Sequence, residues 1–181
     1  MIRHRASLRP APARFVSGEQ PAVKSGSIAT QTAGLTTLVL IRCTPGSDVL
    51  ESTHAYLTAY ATARFGTRTA ERLAVAGYEL FANAMSYGTL SDVTLELLET
   101  PSGGAVRVAN TTTPARLAML RTHLEKLERD GQATLANEMR RFAGGGPRPM
   151  LGLARIRHEV GMTLEVDIAA ERVTILSQQK R

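Results

Sequence analysis

The sequence contains little cysteine and few aromatic residues. Of its 181 residues one is cysteine, none is tryptophan, and 4% are aromatic. A single thiol, Cys43, excludes an internal disulfide and a zinc site built from clustered cysteines, and it is typical of a reducing compartment such as the cytoplasm. The scarcity of aromatic rings argues against a surface that binds bases or sugars by stacking.

Long apolar runs are also missing, although 43% of the residues are hydrophobic. No stretch approaches the roughly 18 apolar residues that a membrane-spanning helix needs. A chain of this length is sufficient for one globular domain and leaves little for a second. We therefore expect a single cytoplasmic domain with no membrane association.

The net charge of +6 and the isoelectric point of about 10.1 first suggest nucleic-acid binding. The charge is unevenly distributed, because residues 1–32 contain five basic side chains against one acidic side chain, a net charge of +4. The other 149 residues contain 17 basic and 15 acidic side chains, a net charge of +2. Since the domain is nearly neutral, we expect no nucleic-acid interface on it.

The basic segment at residues 1–32 carries Pro10, Pro12 and Pro21 and has no sustained apolar period, so we predict that it is a disordered tail. Three interpretations of this tail stay open. It has the composition of a mitochondrial transit peptide, it could bind nucleic acid as an arm, or it could be an extension without a role. We assign the folded domain to residues 33–181.

The sequence of the domain predicts strands and helices in alternation, and we expect an α+β fold. The expected architecture is a two-layer sandwich in which helices cover one face of a mixed, mostly antiparallel sheet. The Pro101–Gly104 stretch is expected to form a hairpin turn, and Ser47 is expected to cap the first helix. The predicted strands and helices are, in order, strand Leu35–Cys43, a helix ending at Phe65, helix Thr69–Tyr87, strands Asp92–Glu99 and Ala105–Asn110, helices Pro114–Arg129, Ala133–Phe142 and Met150–Val160, and strands Thr163–Ile168 and Arg172–Ser177.

The second predicted helix carries an acid and a carboxamide, Glu79 and Asn83, four residues apart. This spacing places both on one helix face, at the edge of the apolar stripe, where they can point into a groove. Their oxygen atoms are ligands that Mg²⁺ prefers. The alternative is that the pair lies on an ordinary solvated helix face.

A glycine-rich segment, Gly144 to Pro147, leads into the predicted helix at Met150. Glycines allow backbone amides to approach a ligand closely, and a helix N-terminus favours phosphate. Pro147 and Pro149 each remove one amide donor, which weakens such a site. A flexible linker between two helices is the alternative.

Taken in this order, the two segments resemble the nucleotide site of the GHKL superfamily, the Bergerat-fold or histidine-kinase-like ATPase domain. Glu79 and Asn83 match the E-x-x-x-N motif of that family, and Gly146 through Ile156 resembles its later G-x-G-L-G-L-x-x-I/V box. The order of strands and helices agrees over residues 35–178. The small size is most similar to the stand-alone anti-sigma-factor serine/threonine kinases.

The resemblance implies that the domain uses ATP with Mg²⁺. Asn83 would hold the Mg²⁺ that bridges the ATP phosphates, and Glu79 would be the catalytic base that orients the attacking hydroxyl or water. The resemblance also implies that the phosphates would be bound by the loop and helix segment that contains Gly144, Gly145, Gly146, Gly152 and Leu153.

The sequence departs from the family where a D-x-G-x-G motif is expected after the second hairpin strand. The matching place reads Val108-Ala-Asn110-Thr-Thr-Thr-Pro114, with no acidic residue and no glycine. Asn110 offers a carbonyl oxygen to adenine in place of the carboxylate. Threonines in place of glycines would strain the backbone wherever the turn needs a positive φ.

Two functions follow from the resemblance. The first is a bacterial regulatory protein, a serine/threonine kinase of an anti-sigma-type partner switch that uses Mg·ATP and acts on a protein partner such as an anti-sigma antagonist. The alternative is a pseudo-ATPase, a protein-interaction module that has lost nucleotide binding. A homodimer is consistent with either function, and nucleic-acid binding through the tail is a third, weaker class.

Overall fold

The computed structural model describes residues 34–45, 48–89, 91–130 and 151–179, and these residues form five strands and four helices. The predicted helix Ala133–Phe142 and the glycines at 144–146 lie outside the described residues. The strands and helices, in chain order, are β1 (Thr36–Cys43), α1 (Leu50–Phe65), α2 (Thr67–Tyr87), β2 (Val93–Thr100), β3 (Gly103–Thr111), α3 (Pro114–Asp130), α4 (Leu151–His158), β4 (Met162–Ala169) and β5 (Arg172–Gln179).

The five strands form one sheet in the order β1-β2-β3-β5-β4, and each neighbouring pair is antiparallel. The α+β prediction is confirmed. The sequence predicted a mixed, mostly antiparallel sheet, and among the described strands every neighbouring pair is antiparallel. The reason is local, because β2–β3 and β4–β5 are hairpins and β5 then pairs with β3. This arrangement places β3 at the centre of the sheet.

The turn of the first hairpin is shorter than the sequence predicted. Only Pro101 and Ser102 form it, and both following glycines belong to β3. Gly104 is required there by packing, since a Cβ at this position would lie 2.5 Å from Cδ1 of Leu73 and 3.2 Å from the ring of Phe65. The glycine that looked like a turn residue therefore allows α2 to approach the sheet closely.

The helices lie on one face of the sheet, and α2 is central among them. Its stripe of Leu73, Gly77, Leu80 and Ala84 is buried, as the helical period predicts. Helix α1 packs against α2 and begins at Leu50, later than a cap at residue 47 would place it. No described helix is long and apolar enough to cross a membrane.

The main core lies between α2 and the sheet. It contains apolar side chains from every helix and from the helix-facing side of the strands. Among the largest side chains that are fully buried in it are Phe81, Leu57, Leu73, Leu80, Leu95, Leu97, Leu153 and Ile156. Because α4 contributes Leu153 and Ile156 to this core, its position is fixed by packing as well as by charge.

The other face of the sheet carries an ion pair between neighbouring strands. Glu96 on β2 is directly opposite Arg107 on β3, and the guanidinium donates to both carboxylate oxygens, at 2.5 Å and 2.9 Å. This hydrogen bonding by Arg107 lowers the pKa of Glu96 below its usual value, against the opposing effect of burial. The pair therefore stabilises the fold only while Glu96 is ionised.

Acidification is expected to weaken the fold through this pair. A carboxyl group whose pKa is lower in the folded than in the unfolded state contributes stability above its unfolded pKa, and that contribution is lost as pH falls through the folded pKa. We expect the melting temperature of the wild type to fall more steeply between about pH 5 and pH 3 than that of Glu96→Gln. Thermal unfolding monitored by circular dichroism measures this difference, and parallel pH profiles for the two proteins would contradict it.

Candidate functional site

A groove of about 510 Å³, including its part open to solvent, lies between α2, α3, α4 and the central strands β3 and β5. Its walls are mainly apolar and are formed by Leu80, Ala84, Val108, Leu120, Leu153, Val173 and Ile175. Five side chains with polar groups also line it, namely Asn83, Tyr87, Asn110, Thr112 and Arg116. An apolar cleft with a few converging polar groups is the usual form of a small-molecule site.

Asn83 lines this groove, and one of its side-chain polar atoms is unpartnered among the described residues. Its amide nitrogen Nδ2 is buried and has no hydrogen-bond partner among the described residues. Leaving a buried donor unpaired costs about 1–3 kcal/mol, so such groups are rare in folded proteins. The side chain is therefore suited to a ligand that accepts a hydrogen bond.

Glu79, the predicted catalytic base, lies one turn earlier on α2 and does not line the groove. Its Oε1 accepts a hydrogen bond from Nη1 of Arg155 on α4, and its side chain is 17% exposed. The carboxylate also packs against Gly152, where a Cβ would come within 2.5 Å of Glu79 Oε2. The structure thus places Glu79 in the seam between α2 and α4, beside the groove.

Asn110, at the position where the sequence resemblance led us to expect an acidic residue, is buried and lines the groove. Its Nδ2 lies 3.4 Å from the carbonyl oxygen of Thr111, a long contact for a hydrogen bond. The next residue, Thr112, is held by two bonds: its Oγ1 donates to the carbonyl of Tyr87 at 2.6 Å, and its amide donates to the carbonyl of Glu171 at 2.9 Å.

The expected strain at the threonines is not observed. Among the described residues only Ala170 and four glycines have a positive φ, so residues 111–113 adopt ordinary backbone conformations. Glycine is therefore not needed at this turn. Thr113 instead begins α3, where its Oγ1 accepts a hydrogen bond from the amide of Arg116 at 3.4 Å, and Pro114 is the first helical residue.

Sequence reasoning missed Arg116. Its Nη1 donates to the carbonyl oxygens of Tyr87 at 2.9 Å and Gly88 at 3.2 Å, and its guanidinium lies 6.0 Å from the centre of the Tyr87 ring. The side chain thus satisfies carbonyls at the C-terminal end of α2 and brings a cation to the groove. The only available signal was an arginine two residues after the proline at the start of α3.

The predicted site residues divide into three groups. Asn83, Asn110 and Leu153 come together around the groove. Glu79 and Gly152 meet in the adjoining seam, and α4 begins at Leu151, so Gly152 lies in its first turn as expected. Gly144, Gly145 and Gly146 lie outside the described residues.

The fold and the groove together define an α+β two-layer protein with a mainly apolar, partly open groove against the centre of its sheet. No family model matches the sequence, and no curated protein matches it significantly. The fold is similar to that of a chain in the crystal structure of the SiaB-SiaC complex from Pseudomonas aeruginosa, with a TM-score of 0.54 and 16% sequence identity over 83% of this chain and 94% of that chain. The likeness extends over nearly the whole neighbouring chain and shows the architecture.

Proposed function

We propose that this chain is a bacterial regulatory protein that binds an adenine nucleotide in the groove and acts on a protein partner. The observation that carries this proposal is the buried, unpartnered amide of Asn83 at the edge of an apolar cleft. A binding protein keeps such a costly group because a ligand satisfies it. The resemblance of Glu79, Asn83 and the Gly146–Ile156 segment to the histidine-kinase-like ATPases supplies the class of ligand.

The apolar end of the groove suits the flat face of a base. Val108, Val173 and Ile175 provide a surface from the sheet, while Asn110 provides an amide at the place where the family has a carboxylate. A neutral hydrogen bond contributes about 0.5–1.5 kcal/mol and a charged one about 1.5–3 kcal/mol. On this difference alone the affinity for adenine falls roughly tenfold relative to a site with an acidic residue.

The residues present also fit a magnesium ion that arrives with phosphates. Among the described residues no group of three or more His, Cys, Asp or Glu side chains could hold a metal by itself. Asn83 would supply one oxygen ligand, and phosphate and water oxygens would supply the others, which is the usual coordination of Mg²⁺ in nucleotide sites. The ion would neutralise phosphate charge beside α2.

A role that involves a protein partner is supported by the structural neighbour, which was solved as a SiaB-SiaC complex. By analogy of fold, we propose that this chain also functions through a protein partner. Phosphotransfer to that partner, with Glu79 as the base, is the finer proposal. It requires the Glu79 carboxylate to reach the groove, from which Arg155 now holds it.

The second candidate function is a pseudo-ATPase that binds its partner without using nucleotide. The ion pair between Glu79 and Arg155 favours it, because a carboxylate engaged in the α2–α4 seam has a structural role that needs no catalysis. Asn110 at the adenine position favours it as well. The unpartnered amide of Asn83 favours nucleotide binding, since a site without a ligand has no use for it.

Titration of the full chain with a fluorescent ATP analogue, with and without Mg²⁺, tests the proposal. We expect micromolar binding that Mg²⁺ strengthens, with displacement by unlabelled ATP and weaker displacement by adenosine or inorganic tripolyphosphate alone. Millimolar or absent binding would instead contradict nucleotide binding and favour the pseudo-ATPase. Incubation with labelled ATP and candidate partner proteins then distinguishes a kinase from a protein that only binds nucleotide.

A further inference from the structure

The seam between α2 and α4 holds three charged side chains beside the groove. Arg155 donates from Nη1 to Oε1 of Glu79 and from Nε to Oε2 of Glu159, the latter at 3.0 Å. Glu159 lies just after the end of α4, four residues beyond Arg155. One guanidinium is therefore shared by two carboxylates, one from each side of the seam.

The position of Glu79 makes its charge relevant to any anionic ligand of the groove. Residues four apart on a helix have Cβ atoms about 5–6 Å apart, so the Glu79 carboxylate lies close to the Asn83 end of the groove. Its side chain is 17% exposed, and water screens such a charge less than it screens one on the surface. Without a partner, this carboxylate would repel phosphate groups placed at Asn83.

The surroundings of Arg155 keep the guanidinium in the seam. The hydrogen bond from Arg155 to Glu159, together with the charges of Glu79 and Glu159, raises the pKa of Arg155 above its ordinary value. The absence of a Cβ at Gly152 gives the Glu79 carboxylate room to reach it. Packing and charge therefore favour the same arrangement of α4 on α2.

We propose that Arg155 is a positioning residue for nucleotide binding: it holds the Glu79 carboxylate in the α2–α4 seam and compensates its charge, so that phosphates can occupy the Asn83 end of the groove. This inference rests on the proposed nucleotide-binding function. The family motifs assign no such role to this position, which is the third residue after the Leu-Gly pair at 151–152. Arg155 thus acts on the ligand through Glu79.

The test compares four variants, Arg155→Gln, Arg155→Lys, Glu79→Gln and the Arg155→Gln/Glu79→Gln double substitution, with Arg157→Gln as a matched control on the same helix. The probes are the fluorescent ATP analogue and, by competition, uncharged adenosine. Arg155→Gln is expected to weaken ATP binding roughly tenfold, the effect of one unit charge about 7 Å away at an effective dielectric constant of about 40. Thermal unfolding of each variant shows whether it is folded.

Three expected results distinguish charge compensation from a purely structural role. The double substitution restores ATP affinity to within about threefold of the wild type, because it removes the uncompensated charge as well as its partner. Arg155→Lys retains most of the affinity, and Arg157→Gln changes it little. Adenosine binding stays unchanged in Arg155→Gln, whereas a displaced α4 would also move Leu153 and weaken adenosine.

Three outcomes overturn the inference. If the wild type binds ATP but Arg155→Gln and the double substitution have equal ATP affinities, Arg155 does not act through the charge of Glu79. The proposed function is then unaffected. If Arg155→Gln loses adenosine and ATP binding to the same extent, Arg155 again does not act through the charge of Glu79. A wild type that binds neither ligand removes the proposed function, and the inference with it.

Discussion

Replacement of Asn83 by leucine is expected to abolish most nucleotide affinity while making the ligand-free protein more stable. A hydrogen bond to a charged group contributes about 1.5–3 kcal/mol, so the loss of the amide should weaken binding of the ATP analogue by about 10- to 100-fold. In the free protein the Nδ2 atom is buried and unpartnered. Its replacement by an apolar group of similar size removes a desolvation cost of about 1–3 kcal/mol.

This prediction is specific because the same substitution is expected to weaken nucleotide binding and to raise the stability of the free protein. Binding is measured by fluorescence titration in Mg²⁺, and stability by the melting temperature without nucleotide. Asn83→Asp serves as the companion variant, since it retains an oxygen ligand for Mg²⁺ but adds a negative charge that should weaken binding most when Mg²⁺ is absent. If Asn83→Leu binds the analogue as tightly as the wild type, Asn83 does not contact the ligand. If the variant melts at a lower temperature, the Asn83 amide contributes to the stability of the free protein.

Replacement of Gly152 by alanine is expected to disturb both the attachment of α4 and the groove. The added Cβ would lie 2.5 Å from Oε2 of Glu79, too close for an ordinary contact, and 3.0 Å from its Cβ, so the Glu79 side chain would have to shift. Such overpacking costs about 1–3 kcal/mol, and the gain of up to about 1 kcal/mol from the better helix propensity of alanine offsets only part of it. Because Leu153, the next residue, lines the groove, we expect nucleotide affinity to fall as well.

A double-mutant cycle with Glu79→Ala isolates this contact. Removal of the Glu79 carboxylate eliminates its closest approach to the added methyl group, so Gly152→Ala should cost less in the Glu79→Ala background than in the wild type. Chemical denaturation of the four proteins gives the coupling free energy. If Gly152→Ala lowers the free energy of unfolding equally in both backgrounds, the contact between α2 and α4 accommodates the methyl group without strain, and Gly152 does not position α4.

Local patterns predicted several elements because neighbouring residues determine them. The buried stripe of α2 follows from the helical period, and the start of α3 follows from Thr113 and Pro114, which act on the backbone directly beside them. The same reasoning failed at Gly103 and Gly104. Glycine is common in turns, but both of these glycines belong to β3: Gly103 has a φ of 125°, and Gly104 is needed because Leu73, which is distant in sequence, approaches it closely.

The candidate site was predicted in part. Asn83, Asn110 and Leu153 were expected at a nucleotide site from motif resemblance, and the structure brings all three to one groove. Arg116 was not expected, since its contact with the carbonyl of Tyr87 depends on how α3 crosses the end of α2. Strain at the threonines 111–113 was expected only if the turn needed a positive φ, and their backbone is ordinary because the chain there continues into a helix N-terminus.

The chain is poor in cysteine and aromatic residues, and a single cysteine by itself excludes an internal disulfide. The scarcity of aromatic residues and the near-neutral charge of the domain predict that it carries no surface for stacking bases and no nucleic-acid interface. Periodicity and turn residues likewise determined the α+β class, because both act over a few residues. Only the tertiary structure decided that the Glu79 carboxylate pairs with Arg155 and lies outside the groove that contains Asn83. Glu79 and Arg155 are 76 residues apart, and their contact depends on how α4 packs on α2, which no local pattern specifies.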